Sequence, residues 1–306
     1  AEDALSRHVL RAGLRQFWSL RNRDVYGSYL YRAFAIQPEL KMRYSSRKVR
    51  EEQTFTFTTL DTRLRLHYSI DQYQRITFGQ GIIRSTRTDL RFIDEVNKDT
   101  ASTVYRASLR YTWDNTRFED GLPVKGLRAT AYLATNRSFQ TQETLFREAF
   151  WDARYYQPLF RRLVFATRFT GGFSWGASPR QTMIGGVVNW MNQDFQNPED
   201  LPLENAGAEA FYFNRIATNL HGAPFNGRNG VRFGLINTEL RIPLVKVFSS
   251  GLPNGAQQNL QLFLFYEMGT AWSTGNPFSQ ENPIDATQIT RPPLDITVQS
   301  LKNPFI

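Results

Sequence analysis

The stretch Thr103-Val-Tyr-Arg-Ala-Ser-Leu-Arg-Tyr-Thr-Trp-Asp114 decides the fold. Its odd positions read Tyr105, Ala107, Leu109, Tyr111 and Trp113, and its even positions read Arg106, Ser108, Arg110, Thr112 and Asp114. Successive side chains of a strand point to opposite faces, so this run has one apolar and one polar face. The same period of two continues on either side. Leu163, Phe165, Phe169, Phe173 and Trp175 share a face with Thr167 and Gly171, while Arg168, Thr170 and Ser174 lie opposite. Leu127, Ala129, Ala131 and Leu133 form a third apolar face. In 259–272 the even positions Leu260, Leu262, Leu264, Tyr266, Met268 and Trp272 are apolar, and the odd face carries Asn259, Gln261, Phe263, Phe265 and Glu267.

About ten such strands are expected, over roughly 8–20, 28–44, 53–70, 73–87, 103–117, 126–138, 146–157, 161–176, 229–245 and 259–273. Within 53–70 the phase moves from Phe55 and Phe57 to Leu60, Leu64, Leu66 and Tyr68, which reads as a bulge or bend. The strands are longer than the globular mode of about 5–6 residues and match the roughly 9–11 that a tilted membrane-crossing strand needs.

Composition bounds the class. The chain has 306 residues, 37 Lys+Arg against 28 Asp+Glu, a net charge of +9, no Cys, and 24 Phe, 13 Tyr and 6 Trp. Without Cys there is no disulfide framework, zinc ribbon or thiol nucleophile. A chain this rich in apolar residues is not a disordered tail. No apolar run approaches the ~20 residues of a spanning helix. The chain opens Ala-Glu-Asp without an initiator Met, as a mature or excised segment would.

Two architectures remain, a soluble β-sandwich and a transmembrane β-barrel. Strand length favours the barrel. So do the aromatics near strand ends, such as Phe17-Trp18, Tyr29, Tyr31, Trp113, Phe150-Trp151, Tyr155-Tyr156 and Trp272, placed as interfacial girdles are. The polar faces carry Arg63, Arg65, Arg106, Arg110, Arg128 and Arg168, costly in a sandwich core and natural in a wet lumen. The expected fold is therefore all-β, a transmembrane antiparallel β-barrel spanning residues 1–306.

One segment breaks the meander, residues 178–230, with Gly185-Gly186, Asn197-Pro198 and Gly222 through Gly230. A loop of this length is usually functional. Its aromatics, Trp190, Phe195, Phe211, Tyr212, Phe213 and Phe225, argue that it packs against something, and folding into the lumen as a plug or latch satisfies that. Residues 274–293, rich in Pro and Asn, read as an exposed connection.

Four motifs carry a family resemblance. Tyr111-Thr-Trp-Asp-Asn-Thr-Arg-Phe118 with Gly121-Leu-Pro-Val-Lys-Gly126, Asn237-Thr-Glu-Leu-Arg-Ile-Pro243, Phe265-Tyr-Glu-Met-Gly-Thr-Ala-Trp272 and the loop segment Ala217-Thr-Asn-Leu-His-Gly-Ala223 stand in the order found in the BamA-type outer-membrane insertase and translocase superfamily, the bacterial surface antigens. Met183-Ile-Gly-Gly-Val-Val-Asn-Trp190 is most similar to the Bacteroidota TolB-like translocation proteins. The resemblance marks Asp114, Asn115, Thr116, Pro123, Gly126, Gly185 and Gly186 as motif turns. It implies a lumen latch built from His221, Gly222, Glu239, Arg241 and Glu267. The family's loop Arg is His221 here, its Tyr/Phe is Ala223, and its strand Asp is Glu267. Protonated His221 could bond to Glu239 or Glu267; Arg215 or Arg228 could substitute; or the latch is weaker. Family barrels have roughly sixteen strands. The resemblance therefore implies that strands and a periplasmic domain lie outside this segment.

Catalysis is not expected. The three histidines, His8, His67 and His221, are far apart, and no His-Glu-x-x-His or Gly-x-Ser-x-Gly occurs. No cofactor or metal site is implied. Arginine is spread over all strands without a stacking platform, which argues against nucleic acid. The expected partners are outer-membrane lipids, lipopolysaccharide included, and other outer-membrane complex subunits or client proteins. Two functions stay open: assembly, insertion or translocation at the bacterial outer membrane, or a passive pore or structural barrel anchoring a periplasmic domain.

Overall fold

The computed structural model describes residues 7–17, 22–50, 54–89, 100–119, 121–160, 163–185, 215–217, 220, 228–243, 261–273, 275, 277, 286–291 and 294–299. The first strands are β1 (His8–Phe17), β2 (Asn22–Tyr31), β3 (Ile36–Arg50), β4 (Thr54–Ser69), β5 (Gln74–Asp89) and β6 (Thr100–Asp114). Next come β7 (Arg117–Glu119), β8 (Leu122–Ser138), β9 (Thr144–Pro158) and β10 (Val164–Trp175). Three short strands follow, β11 (Thr182–Ile184), β12 (Arg215–Ala217) and β13 (Arg228–Gly230). The set ends with β14 (Arg232–Pro243), β15 (Gln261–Trp272), β16 (Ala286–Arg291) and β17 (Leu294–Gln299). No α-helix occurs among the described residues.

One antiparallel ladder runs β1-β2-β3-β4-β5-β6-β8-β9-β10-β14-β15, with β7 paired to the start of β8. It is a meander with one interruption, between β10 and β14, where β11, β12 and β13 form a small sheet of their own. β16 and β17 form a hairpin, so the expected connection 274–293 holds a strand from Ala286 onward.

The register puts the decisive alternation on the two faces of the sheet. Leu109 faces Phe78 on β5 and Leu133 on β8. Leu133 pairs with Ala149, and Ala149 with Phe173. These side chains form one outward row, and Leu133 is 54% exposed. The inner face carries the arginines and acids. Adjacent aromatics are therefore divided: Trp151 and Tyr155 lie on the outer face, Phe150 and Tyr156 on the inner.

Two sequence expectations are corrected. The run 28–44 is a hairpin rather than one strand, so the ladder has eleven long strands where about ten were expected. Tyr29 and Tyr31 sit at odd positions while Leu40 and Met42 sit at even ones, and that change of phase is the turn at 32–35. The phase change in 53–70 is not a bulge. β4 pairs with β3 and β5 in unbroken register. Phe57 simply points inward and is buried, with Leu60 and Leu64 on the outside.

At this end of the sheet the polarity of the faces inverts. Phe57, Ile83, Val104 and Phe146 are buried on the inner face, and the last three pack together. Thr58, Arg84, Thr103 and Arg147 occupy the outer positions. The outward apolar band stops there.

Gly126 shows how the motif turn is held. Its φ is +112°, and a Cβ would lie 2.6 Å from the Asn115 carbonyl oxygen. Gly126→Ala should destabilise the barrel by about 1–3 kcal/mol, since both the backbone region and the close approach exclude a side chain. A lowered urea midpoint for the detergent-folded chain checks this.

Candidate functional site

The inner wall is a set of ion pairs, some between neighbouring strands and some two residues apart on one strand. Arg43 reaches Asp24 (2.5 Å), Arg65 and His67 both reach Glu39 (3.4 and 3.1 Å), and Arg63 grips Asp61. Arg154 and Arg168 share Asp152 at 2.8 and 2.5 Å. Strand alternation places these groups on one face; Arg65 and Glu39 are level in register, and the other cross-strand partners are one inner row apart. A charged wall of this kind suits a water-filled interior, where paired charges keep hydration.

The segment between β10 and β14 docks on this wall. Just after β10, the backbone N–H of Arg180 donates to Ser174 Oγ (2.8 Å). The Arg180 Nη1 donates to Glu148 Oε2 (3.0 Å). Glu148 is buried on the inner face of β9 and also accepts from Arg106 of β6. Arg106 in turn donates to the Tyr132 hydroxyl from Nε (3.0 Å) and Nη2 (2.6 Å).

Four residues past Arg180, Ile184 is fully buried. It packs with Leu220, Phe233, Leu235 and Ala271, and with Phe150 beside them. Phe233 and Leu235 belong to β14 and Ala271 to β15, all on the inner face. β11 pairs parallel to β12 and antiparallel to β13. At Gly230 of β13 a Cβ would lie 2.4 Å from the Trp272 backbone, so this strand lies directly against the end of β15. The excursion is thus fixed to the wall by one ion-pair centre and one apolar cluster.

The motif residues divide as follows. Arg241 donates to Glu239 Oε2 from Nε (2.9 Å) and Nη2 (2.7 Å), both on the inner face of β14. The Arg241 guanidinium also reaches the Pro123 carbonyl (3.5 Å) and lies over the rings of Tyr156 and Phe263. Glu239, Arg241 and the Pro123 turn therefore meet at one place. Glu267 stands opposite Asn237, one inner row from Glu239.

Asp114 accepts from the Thr116 N–H (3.1 Å) and from Arg128 (2.7 Å), and Asn115 Oδ1 accepts from the Leu127 N–H (2.6 Å). The Thr116 and Leu127 contacts are the side-chain-to-backbone bonds of a strand-end turn, and the Arg128 contact is an ion pair beside it. Gly185 is buried with φ +115° at the end of β11. Gly186, His221 and Gly222 lie outside the described residues, as do the loop aromatics from Trp190 to Phe225.

Sequence reasoning missed the Glu148–Arg106–Arg180 centre and the Ile184–Leu220 contact. Glu148 offered one signal, as a carboxylate on a strand face otherwise met by arginines. No group of His, Cys, Asp and Glu suited to a metal ion occurs among the described residues.

Comparison with solved structures fits this geometry. The crystal structure of BamA from Haemophilus ducreyi lacking POTRA domains 1–3 superposes with a TM-score of 0.58 at 14% identity, over 86% of this chain and 52% of that one. The barrel fold is BamA-like. CdiB from Escherichia coli aligns with a TM-score of 0.49 at 13% identity, over 90% of this chain and 48% of that one. No family profile and no curated protein matches the sequence. The chain spans about half the length of the structures it matches. The eleven-strand ladder is thus the wall of a transmembrane antiparallel β-barrel, and its inner face is a lumen face carrying a docked excursion.

Proposed function

We propose that this chain is an outer-membrane barrel of the BamA-like superfamily that assists the assembly, insertion or translocation of other proteins. It performs no covalent catalysis, uses no cofactor and binds no nucleic acid. Its partners are outer-membrane lipids, other subunits of its complex, and client proteins. The observation that carries this reading is the excursion between β10 and β14, held on the lumen wall by Arg180 and Ile184. It precedes Asn237–Pro243 in the order of the superfamily's motifs. In that superfamily a weak lateral seam admits client strands by β-augmentation, in which an edge strand pairs with the incoming chain. The wording Met183–Trp190 further supports kinship with the TolB-like translocation proteins of Bacteroidota.

The test is reconstitution of the full-length protein in liposomes with a urea-unfolded barrel client. Client folding, read by its gel shift, should proceed several-fold faster than in empty liposomes. A passive pore or anchor gives conductance without acceleration, and that result would overturn the reading.

A further inference from the structure

Many of the lumen arginines are ion-paired with lumen carboxylates, whereas several outward ones meet no carboxylate among the described residues. Taken by register, the outward strand positions whose side chains are described carry no carboxylate. They do carry Arg23, Arg84, Arg137, Arg147 and Arg232, all near the end of the sheet from which the excursion enters. Lys125 and its β7 partner Arg117, beside the Gly126 turn, are outward cations at the opposite end. The Tyr29, Tyr31, Tyr68, Tyr111, Trp113 and Tyr155 positions border the opposite end, while at the arginine end Trp175 stands level with Arg147 and Trp272 opposite Arg232. The two rims of the apolar band are chemically different.

Arg84, Arg137 and Arg147 lie on β5, β8 and β9, three of four adjacent strands. Arg147 is level with Gln80 on β5, four residues from Arg84, so a strand spacing of about 4.8 Å and a rise of about 3.3 Å per residue put the outer two roughly 19 Å apart. Neither Arg84 nor Arg147 meets a carboxylate among the described residues. Arg137 donates only to the Gln142 carbonyl, at 2.5 Å.

Directly beside them the surface is hollowed. Ala107 and Thr135 are level with Arg147 and Trp175 in one cross-strand row. Their small side chains leave a shallow groove of about 350 Å³, walled by Phe78, Leu109, Leu133 and Trp175, with Arg147 at its edge and the inner-row residues Ser108, Ala134 and Glu148 also lining it. The groove is apolar toward the membrane band and cationic toward the excursion end. That end carries the 56-residue connection 176–231, as the outer side of such barrels carries the longer loops.

We propose that this patch is a binding site for a multiply phosphorylated, acylated glycolipid of the outer leaflet, of the lipopolysaccharide class. Its phosphates would sit on Arg84, Arg137 and Arg147, with one acyl chain in the Ala107–Thr135 groove. Arginine suits this role because its planar fork binds two phosphate oxygens at once. The site rests on the outer-membrane placement proposed above and not on any action on clients.

The full-length protein, delipidated in detergent, is titrated with bis-phosphorylated lipid A and read by native mass spectrometry. The triple variant Arg84→Ala, Arg137→Ala, Arg147→Ala should bind more weakly by roughly fivefold per arginine, on the order of a hundredfold in all. Ala107→Trp fills the groove without touching a charge and should also weaken binding, while Arg147→Lys keeps most of it. Gel shift confirms that each variant is folded. Equal affinity in the wild type and triple variant overturns the site. So does equal binding of dephosphorylated lipid A, equal binding of phosphatidylglycerol, or displacement of lipid by millimolar inorganic phosphate. Client insertion measured on the same variants separates the two readings: insertion that persists while lipid selectivity is absent removes this site alone.

Discussion

Glu148→Gln should lower the stability of the folded barrel by about 3–5 kcal/mol, the cost of breaking a buried ion pair from one side. Glu148 has 5% of its side chain exposed and Arg106 has 7%, so little water can replace the lost carboxylate charge. Arg180, at 16%, loses the same partner. The amide can still accept hydrogen bonds, but it leaves two guanidinium charges close together with no counter-ion. Tyr132 already uses its hydroxyl on Arg106, so it cannot compensate. Arg106→Met, Arg180→Met and Glu148→Leu together remove the charges jointly and should recover much of the loss, because desolvation no longer has to be offset. The measurement is the urea midpoint of the liposome-folded chain, followed by gel shift. A loss below about 1 kcal/mol would mean that the pair behaves like an exposed one, and the centre would not hold the excursion.

The fold was legible because one signal dominates it. Period-two alternation at Thr103–Asp114 survives into the structure residue by residue, with Leu109 and Trp113 outward and Arg106 and Arg110 inward. The hairpin at 32–35 was missed because its turn, Arg32-Ala-Phe-Ala35, contains neither Gly nor Pro. Only the phase of the flanking Tyr and Leu residues recorded it. Phe57 misled for a different reason. The inner wall becomes apolar at one end, so an aromatic there marks the lumen side rather than the membrane side.

The site was legible only in part. Glu239 and Arg241 are two residues apart on one strand, and their pairing follows from alternation alone. Arg106 and Glu148 are 42 residues apart, and their meeting depends on the register of three strands. The docking of the excursion was anticipated from its aromatics, yet among the described residues it is made by the aliphatic Ile184 and Leu220. Strands of three residues, one of them paired in parallel, leave too short a pattern to read in advance.

Leu220→Asp should release the excursion while leaving the barrel wall folded. Leu220 is 1% exposed, and its neighbours Ile184, Phe233, Leu235 and Ala271 offer no hydrogen-bond donor from their side chains. An isolated carboxylate there costs several kcal/mol or more, and undocking lets it reach water. The ladder β10-β14-β15 does not depend on this contact for its hydrogen bonds, so the urea midpoint of the wall should change little. Leu220→Met, which conserves volume, should be close to neutral. Limited proteolysis reads the difference: cleavage between Gly185 and Arg228 should rise by more than about tenfold in Leu220→Asp and stay at the wild-type rate in Leu220→Met. Liposome conductance should rise in parallel, because a segment leaves the lumen. Unchanged proteolysis and conductance in a folded Leu220→Asp barrel would show that the apolar cluster does not hold the segment in place. If conductance rises and client insertion falls together, the docked excursion is part of the insertion machinery. If conductance rises while insertion is unchanged, the excursion is a plug, and the insertion role must be carried by the strands alone.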